Sequence, residues 1–470
     1  MAYMKDSTGV RLDTIKVQNK PGTKRVTTAL TAPNATTAAA AVDRTQRTMW
    51  MVPVATTRWR LRFANRNLLN NTALTTPCTI TGLWAGNPLL QTSGTTTTRW
   101  NGDFSAAPTQ VVTGSLSVPV DGTDAVTAWV TDPAQQFTPH TAKLLSWGIT
   151  SLNSGTGIAS GNSYQGVYLT GAANAGNTTI AGTMNAQAIY LDVRVEYEFE
   201  GTNPIVMHVT DSLGVGYGDG TQGYSSPGIA SLPYEAPPVA AGLMGNYCVV
   251  NLGVGSATTG TFISPTAYGW TRADMATTVP DAAVVQLGTN SLGAAYSTNA
   301  INLNTHFETI RALGIKKIYI VTLTPRGLTA NAGTLGADAA AGATSITSSF
   351  NPGNVAILIG SGMNQEQVTV SASSGTGPYT LTVSALANAH TSGENIVSGN
   401  ELNRRRLNTW IRNVPYGITG VIDLERVVEA SPESVYADQR IISADQLHFL
   451  RGGYQRIAQE LSIVGRGIRF

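Results

Sequence analysis

The sequence predicts an α/β domain built on a parallel sheet, preceded by an all-β domain and interrupted by a small β domain. Three observations predict this. From about residue 203, short continuous apolar runs alternate with stretches of helical periodicity, the pattern of a parallel sheet covered on both faces. Before that, short alternating runs are separated by Gly, Asn, Pro and Asp clusters, the spacing of a sandwich or jelly roll. Between residues 327 and 403 there is no Lys or Arg, and alternating runs return.

Residues 1–45 read as an arm. They carry Lys5, Arg11, Lys16, Lys20, Lys24 and Arg25, then an Ala/Thr-rich stretch. A solvated tail and a docking segment for an acidic partner both fit this composition. The all-β domain spans 46–200. Its strand candidates include Trp59–Phe63, Val111–Thr113, Ala125–Val130 and Ala188–Val195. Trp50, Trp59, Trp84, Trp100, Trp129 and Trp147 fall here, and core packing at strand positions explains such residues better than exposed stacking.

The α/β domain occupies 201–326 and 403–470. Its parallel strands are expected near Pro204–Val209, Tyr247–Leu252, Ala283–Leu287, Lys317–Leu323 and Gly420–Leu424, with helices over Asn302–Leu313, Asn403–Arg412 and Arg451–Leu461. The insertion, 327–402, reads as strands near Ala343–Thr347, Val355–Ile359, Glu366–Val370 and Tyr379–Val383. It lies between the fourth and fifth parallel strands, in a loop of the kind that accepts insertions when its ends lie close together.

Composition excludes several function classes. Charged residues make up 12% of the 470, and the net charge is +2, so no nucleic-acid-binding surface is implied. No apolar run is long enough to span a membrane, and the polar start MAYMKDSTGVRLDTI lacks the apolar core of a signal peptide. Cys78 and Cys248 fall in different expected domains, so no disulfide framework is read from them. No residues show metal-ligand spacing, and the expected chemistry needs no cofactor.

That chemistry comes from three strings in fixed order: Thr210-Asp211-Ser212-Leu213-Gly214, Gly288-Thr289-Asn290 and Asp445-Gln446-Leu447-His448. Ser212 follows a buried strand in a glycine-rich turn, which places its hydroxyl at a strand's carboxyl end, where open α/β sheets carry their sites. A serine needs a base to act as nucleophile. Asp445 and His448 are three apart, so in a turn or helix start the carboxylate reaches one imidazole nitrogen and leaves the other for the serine. Asn290 can donate its amide to an oxygen that becomes negative in the transition state. Asn251-Leu252-Gly253-Val254-Gly255-Ser256 follows the second strand, and the backbone N–H groups of Gly255 and Ser256 are candidates to complete an oxyanion hole. His208 is assigned to the core, and His140, His306 and His390 are read as having no carboxylate partner at useful spacing. Tyr268 and Trp270 could line either an acyl pocket or the core.

On these strings the chain resembles the SGNH (GDSL-type) hydrolases. The resemblance covers about 203–470 without the insertion. It implies a flavodoxin-like sheet and ester hydrolysis through an acyl-enzyme, with Ser212 as nucleophile, His448 as base, Asp445 as its orienter and Asn290 as oxyanion donor. The Lys317-to-Arg326 strand ending Thr324-Pro325-Arg326 and Leu402-Asn403-Arg404 through Trp410 also resemble secreted relatives, as does the β-rich front half with Arg60-Leu61-Arg62-Phe63-Ala64-Asn65-Arg66. The chain departs from the family at Thr210, where members carry Gly, and at Ser291, where they carry Asp. The second-block Gly slot falls at Ser256, with Gly255 one residue early.

The expectation is a serine esterase acting on carboxylic esters, most readily O-acetyl groups on a host cell-surface glycan or envelope ester. The arm, the β-rich modules and the missing signal peptide resemble actinobacteriophage tail proteins. That resemblance implies a virion or extracellular location, tail-protein partners held through the N-terminal arm, and a homo-oligomer. Three other readings stay open: a receptor-binding protein with a vestigial site, a lipid-directed esterase, and a purely structural tail subunit.

Overall fold

The computed structural model describes residues 22–30, 36–37, 43–66, 73, 77–93, 97–150, 159–179, 185–215, 237–261, 263, 279–327, 331–361, 364–431, 434–443 and 445–468. The front half is two antiparallel sheets packed face to face. One has four strands, in the order Thr23–Ala29, Asp192–Glu200, Arg58–Ala64, Ala125–Val126. The other has eight. Phe63 of the first and Trp147 of the second meet edge to face at 5.6 Å between ring centres, deep in the shared core. Four strands against eight exceed the eight in total of a jelly roll. A sandwich is therefore observed, without the jelly-roll strand count.

The alternation in Arg58-Trp59-Arg60-Leu61-Arg62-Phe63 follows from the pleat. Trp59, Leu61 and Phe63 are fully buried between the sheets. Arg58, Arg60 and Arg62 lie on the other face and pair with Glu196 and Glu198 of the neighbouring strand. Of the tryptophans, Trp50, Trp59 and Trp147 are buried. Trp129 is half-buried beneath the guanidinium groups of Arg58 and Arg60, at 4.4 and 4.2 Å.

The arm needs correction. Thr23–Ala29 is not a tail but a strand, paired in seven-residue register with Ala29 opposite Arg194 and Thr23 opposite Glu200. Its basic residues are spent internally: Arg25 pairs with Glu198, and Lys24 donates to the Asn203 carbonyl. Residues 1–21, 31–35 and 38–42 of the arm lie outside the described residues.

The second half contains a five-stranded parallel sheet. Its strands are β1 (Ile205–Thr210), β2 (Cys248–Asn251), β3 (Ala282–Gln286), β4 (Lys317–Val321) and β5 (Gly420–Ile422). They run in the order β2-β1-β3-β4-β5, which is the flavodoxin-like order. The apolar runs are continuous because both faces are covered. Ile205, Met207 and Val209 point into a core shared with Leu303, Phe307 and Ile310 of helix α2 (Tyr296–Ala312) and with Leu407 and Ile411 of α3 (Gly399–Arg412). Val206, Val249 and Val284 point the other way, onto α1 (Pro237–Gly245) and α4 (Arg451–Leu461). The first of these cores continues without a break into the sandwich. Thr28 Oγ1 accepts the N–H of Asn251, and this bond ties the rescued N-terminal strand to the end of β2. Cys78 and Cys248 are buried free thiols. Among the described residues no helix is long and apolar enough to cross a membrane.

Between β4 and α3 lies a six-stranded antiparallel sheet over Ala332–Ser398. It surrounds its own core of Ile346, Ile357, Val368, Val370, Leu381 and Ile396. The bridge between Leu335 and Ser348 joins the first edge strand to the last, so the sheet closes on itself. Closure leaves no free edge to pair with another chain. The edge strand Ala332–Thr334 and the strand Asn395–Ser398 were not visible in the sequence pattern.

α3 is anchored by a buried ionic cluster. Arg404, fully buried, binds Glu401 and Glu425 and donates to the Leu323 carbonyl. Asn408 holds the same Leu323 twice, accepting its N–H at 2.7 Å and donating to its carbonyl at 2.8 Å. These bonds fix the segment that leaves β4 toward the site. Arg404→Ala would leave Glu401 to Arg405 and Glu425 to Arg412 and Asn408, so each buried carboxylate loses one of its partners. Stability should fall by about 1–3 kcal/mol, read as a lower urea midpoint with an unchanged slope.

Candidate active site

Ser212, Asn290 and His448 come from three separate segments, and the sheet brings those segments to one end. Ser212 follows β1 and Asn290 follows β3, so both sit beyond the carboxyl ends of adjacent strands, where the strand order reverses. His448 lies just before α4.

The turn after β1 is tight. Asp211 Oδ1 accepts the N–H of Leu213, and the Asp211 carbonyl accepts that of Gly214. A Cβ on Gly214 would stand 2.1 Å from Thr210 Oγ1, so this position requires glycine once threonine occupies 210. Ser212 is 7% exposed. Beneath it Asp211 is buried with its Oδ2 unpartnered, and burial pushes its carboxyl up to about 7.

His448 joins the parts. Its Nε2 is 2.8 Å from Ser212 Oγ, and its Nδ1 is 2.6 Å from Asp445 Oδ2. The spacing of three works through a turn rather than a helix start, since α4 begins only at Arg451. Asp445 Oδ1 accepts the N–H groups of Leu447 and His448 and the hydroxyl of Ser443. Ser443 also donates its N–H to the His448 carbonyl at 2.7 Å. Sequence reasoning missed Ser443, because a lone serine two residues before an aspartate carries no signal. Gln446 has a φ of +58° inside this turn. A Cβ on Gly327 would sit 1.8 Å from its side-chain oxygen, so any larger residue there must displace the Gln446 side chain.

Electrostatics follow from these contacts. Burial would raise the Asp445 carboxyl, but hydrogen bonds from Ser443, His448 and two backbone N–H groups outweigh it and hold the carboxyl far below the usual range. Burial lowers the His448 imidazole. Asp445 opposes that shift without cancelling it, and the nearby Arg326 charge adds to it. His448 is therefore neutral and able to accept a proton at neutral pH.

Two of the oxyanion candidates lie on the loop that flanks the end of β1, and the third follows β3. The loop after β2 runs along β1, with Leu252 and Val254 donating to the carbonyls of His208 and Thr210. The loop continues into Gly255, buried, and Ser256, exposed. Ser256 has a φ of +62°, a left-handed conformation that favours glycine, and it occupies the slot counted for glycine in the sequence. Asn290 donates one amide hydrogen to the Ala257 carbonyl at 3.1 Å. Its second amide hydrogen is in no hydrogen bond among the described residues.

The remaining histidines lie elsewhere. His208 is buried, stacked on Tyr247 with ring centres 6.0 Å apart, and burial lowers it to about 3. His306 Nε2 contacts the Thr259 carbonyl at 2.6 Å. The reading of His390 needs correction. It sits in the insertion between two carboxylates, Glu394 at 2.7 Å and Glu366 at 2.8 Å. Glu394 is only four residues on, but a turn brings it back. Tyr268 and Trp270 fall outside the described residues.

No family model matches the chain, and no curated protein does. Thirty chains among solved structures do. A family two carbohydrate esterase from Clostridium thermocellum, solved as an active-site mutant, is 9% identical, with 95% of this chain and 98% of that one covered at a TM-score of 0.33. A G-D-S-L family protein from Desulfitobacterium hafniense DCB-2 is 14% identical over 56% of this chain and 99% of that one, again with a TM-score of 0.33. A family two carbohydrate esterase from Cellvibrio japonicus is 11% identical over 66% and 82%, with a TM-score of 0.25. Likeness at that level does not fix an activity, whereas the contacts of His448 bear directly on chemistry.

Two measurements check this geometry. Any activity that uses His448 as base should rise with pH along an acid limb below about 6.5, the ordinary imidazole value, because only the neutral ring accepts a proton and burial keeps it neutral to lower pH. Asp445→Asn should cost about 10³-fold in kcat. That is less than the roughly 10⁴-fold of a buried triad aspartate, since the Asp445 side chain is 44% exposed and water can partly replace it.

Proposed function

We propose that this chain is a serine ester hydrolase of the SGNH type. The observation that carries the reading is the imidazole of His448, in hydrogen-bond contact with Ser212 Oγ on one side and Asp445 on the other. A serine hydroxyl, a neutral buried base and an ionised carboxylate in that order form a nucleophile-activating relay.

In this reading Ser212 Oγ attacks the ester carbonyl as its proton passes to His448 Nε2. The carbonyl oxygen becomes an oxyanion and receives hydrogen bonds from Asn290 and from N–H groups of the 255–256 loop and Ser212. The imidazolium, stabilised by Asp445, then gives its proton to the leaving alkoxide, and the alcohol departs. Water activated by His448 attacks the acyl-serine, the acid is released, and the proton returns to Ser212. Every proton that His448 takes up is handed on, so the cycle needs no redox partner.

The finer reading is that the ester is an O-acetyl group on a cell-surface glycan and that the chain works on a virion tail. Support for the glycan comes from the sequence resemblance and from a polar, β-rich front half of the kind that some secreted relatives carry. Support for the tail comes from the sequence resemblance alone. The vestigial-site alternative is disfavoured by a relay assembled at 2.6 and 2.8 Å, since a decaying site has no reason to keep these partners aligned.

Turnover of p-nitrophenyl acetate tests the reading. Ser212→Ala should lower kcat by about 10⁵–10⁶-fold, and Asn290→Ala by about 10²–10³-fold. Equal rates for wild type and Ser212→Ala would exclude the enzyme. A series of acetyl to palmitoyl esters should show its optimum at acetyl; an optimum at long chains would shift the reading to lipid esters.

A further inference from the structure

Arg326 lies beside the same site, and the proposed cycle does not use it. It lies at the end of the segment leaving β4, which Asn408 and Arg404 pin at Leu323. Its own backbone is fixed on two sides. The Arg326 carbonyl accepts the N–H of Ala437, and the next N–H, that of Gly327, donates to the Gln446 carbonyl inside the Asp445–His448 turn. The guanidinium reaches the carbonyl of Thr289, the residue before Asn290, at 3.4 Å. Arg326 therefore sits between the two loops that carry the base and the oxyanion donor.

Among the described residues Arg326 forms no ion pair, and its Nε is buried without a hydrogen-bond partner. Arg404 and Arg412, on the neighbouring helix, each bind two carboxylates. Arg326 is also close enough to His448 for its charge to oppose protonation of the imidazole. That placement works against the reaction, because His448 becomes a cation as Ser212 attacks. An uncompensated cation beside such a base makes chemical sense if the substrate supplies the missing negative charge. A bound anion would engage guanidinium donors not spent on Thr289 and also screen the developing imidazolium.

We propose that Arg326 is a specificity-determining residue that receives an anionic group, carboxylate or phosphate, carried by the ester substrate next to the scissile acyl group. The planar fork of guanidinium donors suits both oxyanions bidentately. This inference rests on the ester-hydrolase reading and narrows its substrate class to acidic esters, such as acylated uronic acids or phosphate-bearing sugars.

The test compares three O-acetyl esters of one sugar: the neutral methyl glycoside, its uronate and its 6-phosphate. Wild type should prefer one anionic ester over the neutral one by about tenfold or more in kcat/KM, as expected for a charge-assisted pair. The better of the two identifies the source of the charge. Arg326→Gln should collapse that preference to about twofold or less, and Arg326→Lys should keep part of it. On the neutral ester, the acid limb of the Arg326→Gln profile should move to higher pH, because removing the cation makes His448 easier to protonate. A wild type with no preference would overturn the proposal. An Arg326→Gln variant that slows all three esters equally would also overturn it and make Arg326 an oxyanion-side positioning residue. Ser212-dependent turnover of p-nitrophenyl acetate, measured alongside, checks the underlying reading separately. If that turnover is absent, calorimetric titration of wild type and Arg326→Gln with the uronate and the phosphate still decides whether Arg326 binds the anion.

Discussion

The position of one imidazole depends on most of the second half of the chain. His448 must touch Ser212, which lies 236 residues earlier in sequence, and must keep its other nitrogen on Asp445. The first contact spans the sheet, and the second lies within one turn. The first depends on β1 ending where it does and on a glycine that lets the turn fold back on Thr210. The second depends on a turn whose aspartate is saturated with hydrogen bonds, so that its carboxylate has little freedom to rotate away. Preorganisation of this kind lets a site act without rearranging at the moment of reaction.

Behind the imidazole stands a second layer that contributes no reacting atom. Arg404, Glu401, Glu425 and Asn408 converge on the backbone of Leu323. A buried ion cluster of this size is weak evidence for stability, because desolvation consumes much of its Coulomb attraction. Its geometric effect is clearer. Two hydrogen bonds to one residue's N–H and C=O set the direction in which the chain leaves β4, and hence the direction of everything up to Arg326.

The sequence made the parallel sheet legible because strands buried on both faces are apolar nearly throughout, and Pro204–Val209 and Ala283–Leu287 each carry a single polar residue, His208 and Gln286. The relay was legible for a chemical reason: few residue types can serve as nucleophile, base and orienter, and Ser212 followed one of those strands while Asp445 and His448 stood three apart just before α4. The N-terminal strand was not legible. Thr23–Ala29 looks like a charged, threonine-rich tail because the glutamates that neutralise it lie at the far end of the sandwich, in Asp192–Glu200. His390 was misread for a related reason, since its two carboxylates meet it only after the insertion closes. Ser443, Asn408 and Arg326 act through backbone groups or through the absence of a partner, and neither leaves a trace in residue type or spacing.

The insertion's chain ends lie side by side. Its first strand, Ala332–Thr334, is hydrogen-bonded along its length to the strand that leaves it, with Ala332 opposite Val397. A segment of more than sixty residues therefore departs from and rejoins the α/β scaffold at nearly the same point in space, and it carries its own apolar interior. It also shares a small buried cluster with the scaffold, where Leu358 and Val397 meet Leu402 and Val435. A module that leaves and rejoins its host at one point could change in length between these anchors without displacing the strands on either side of it.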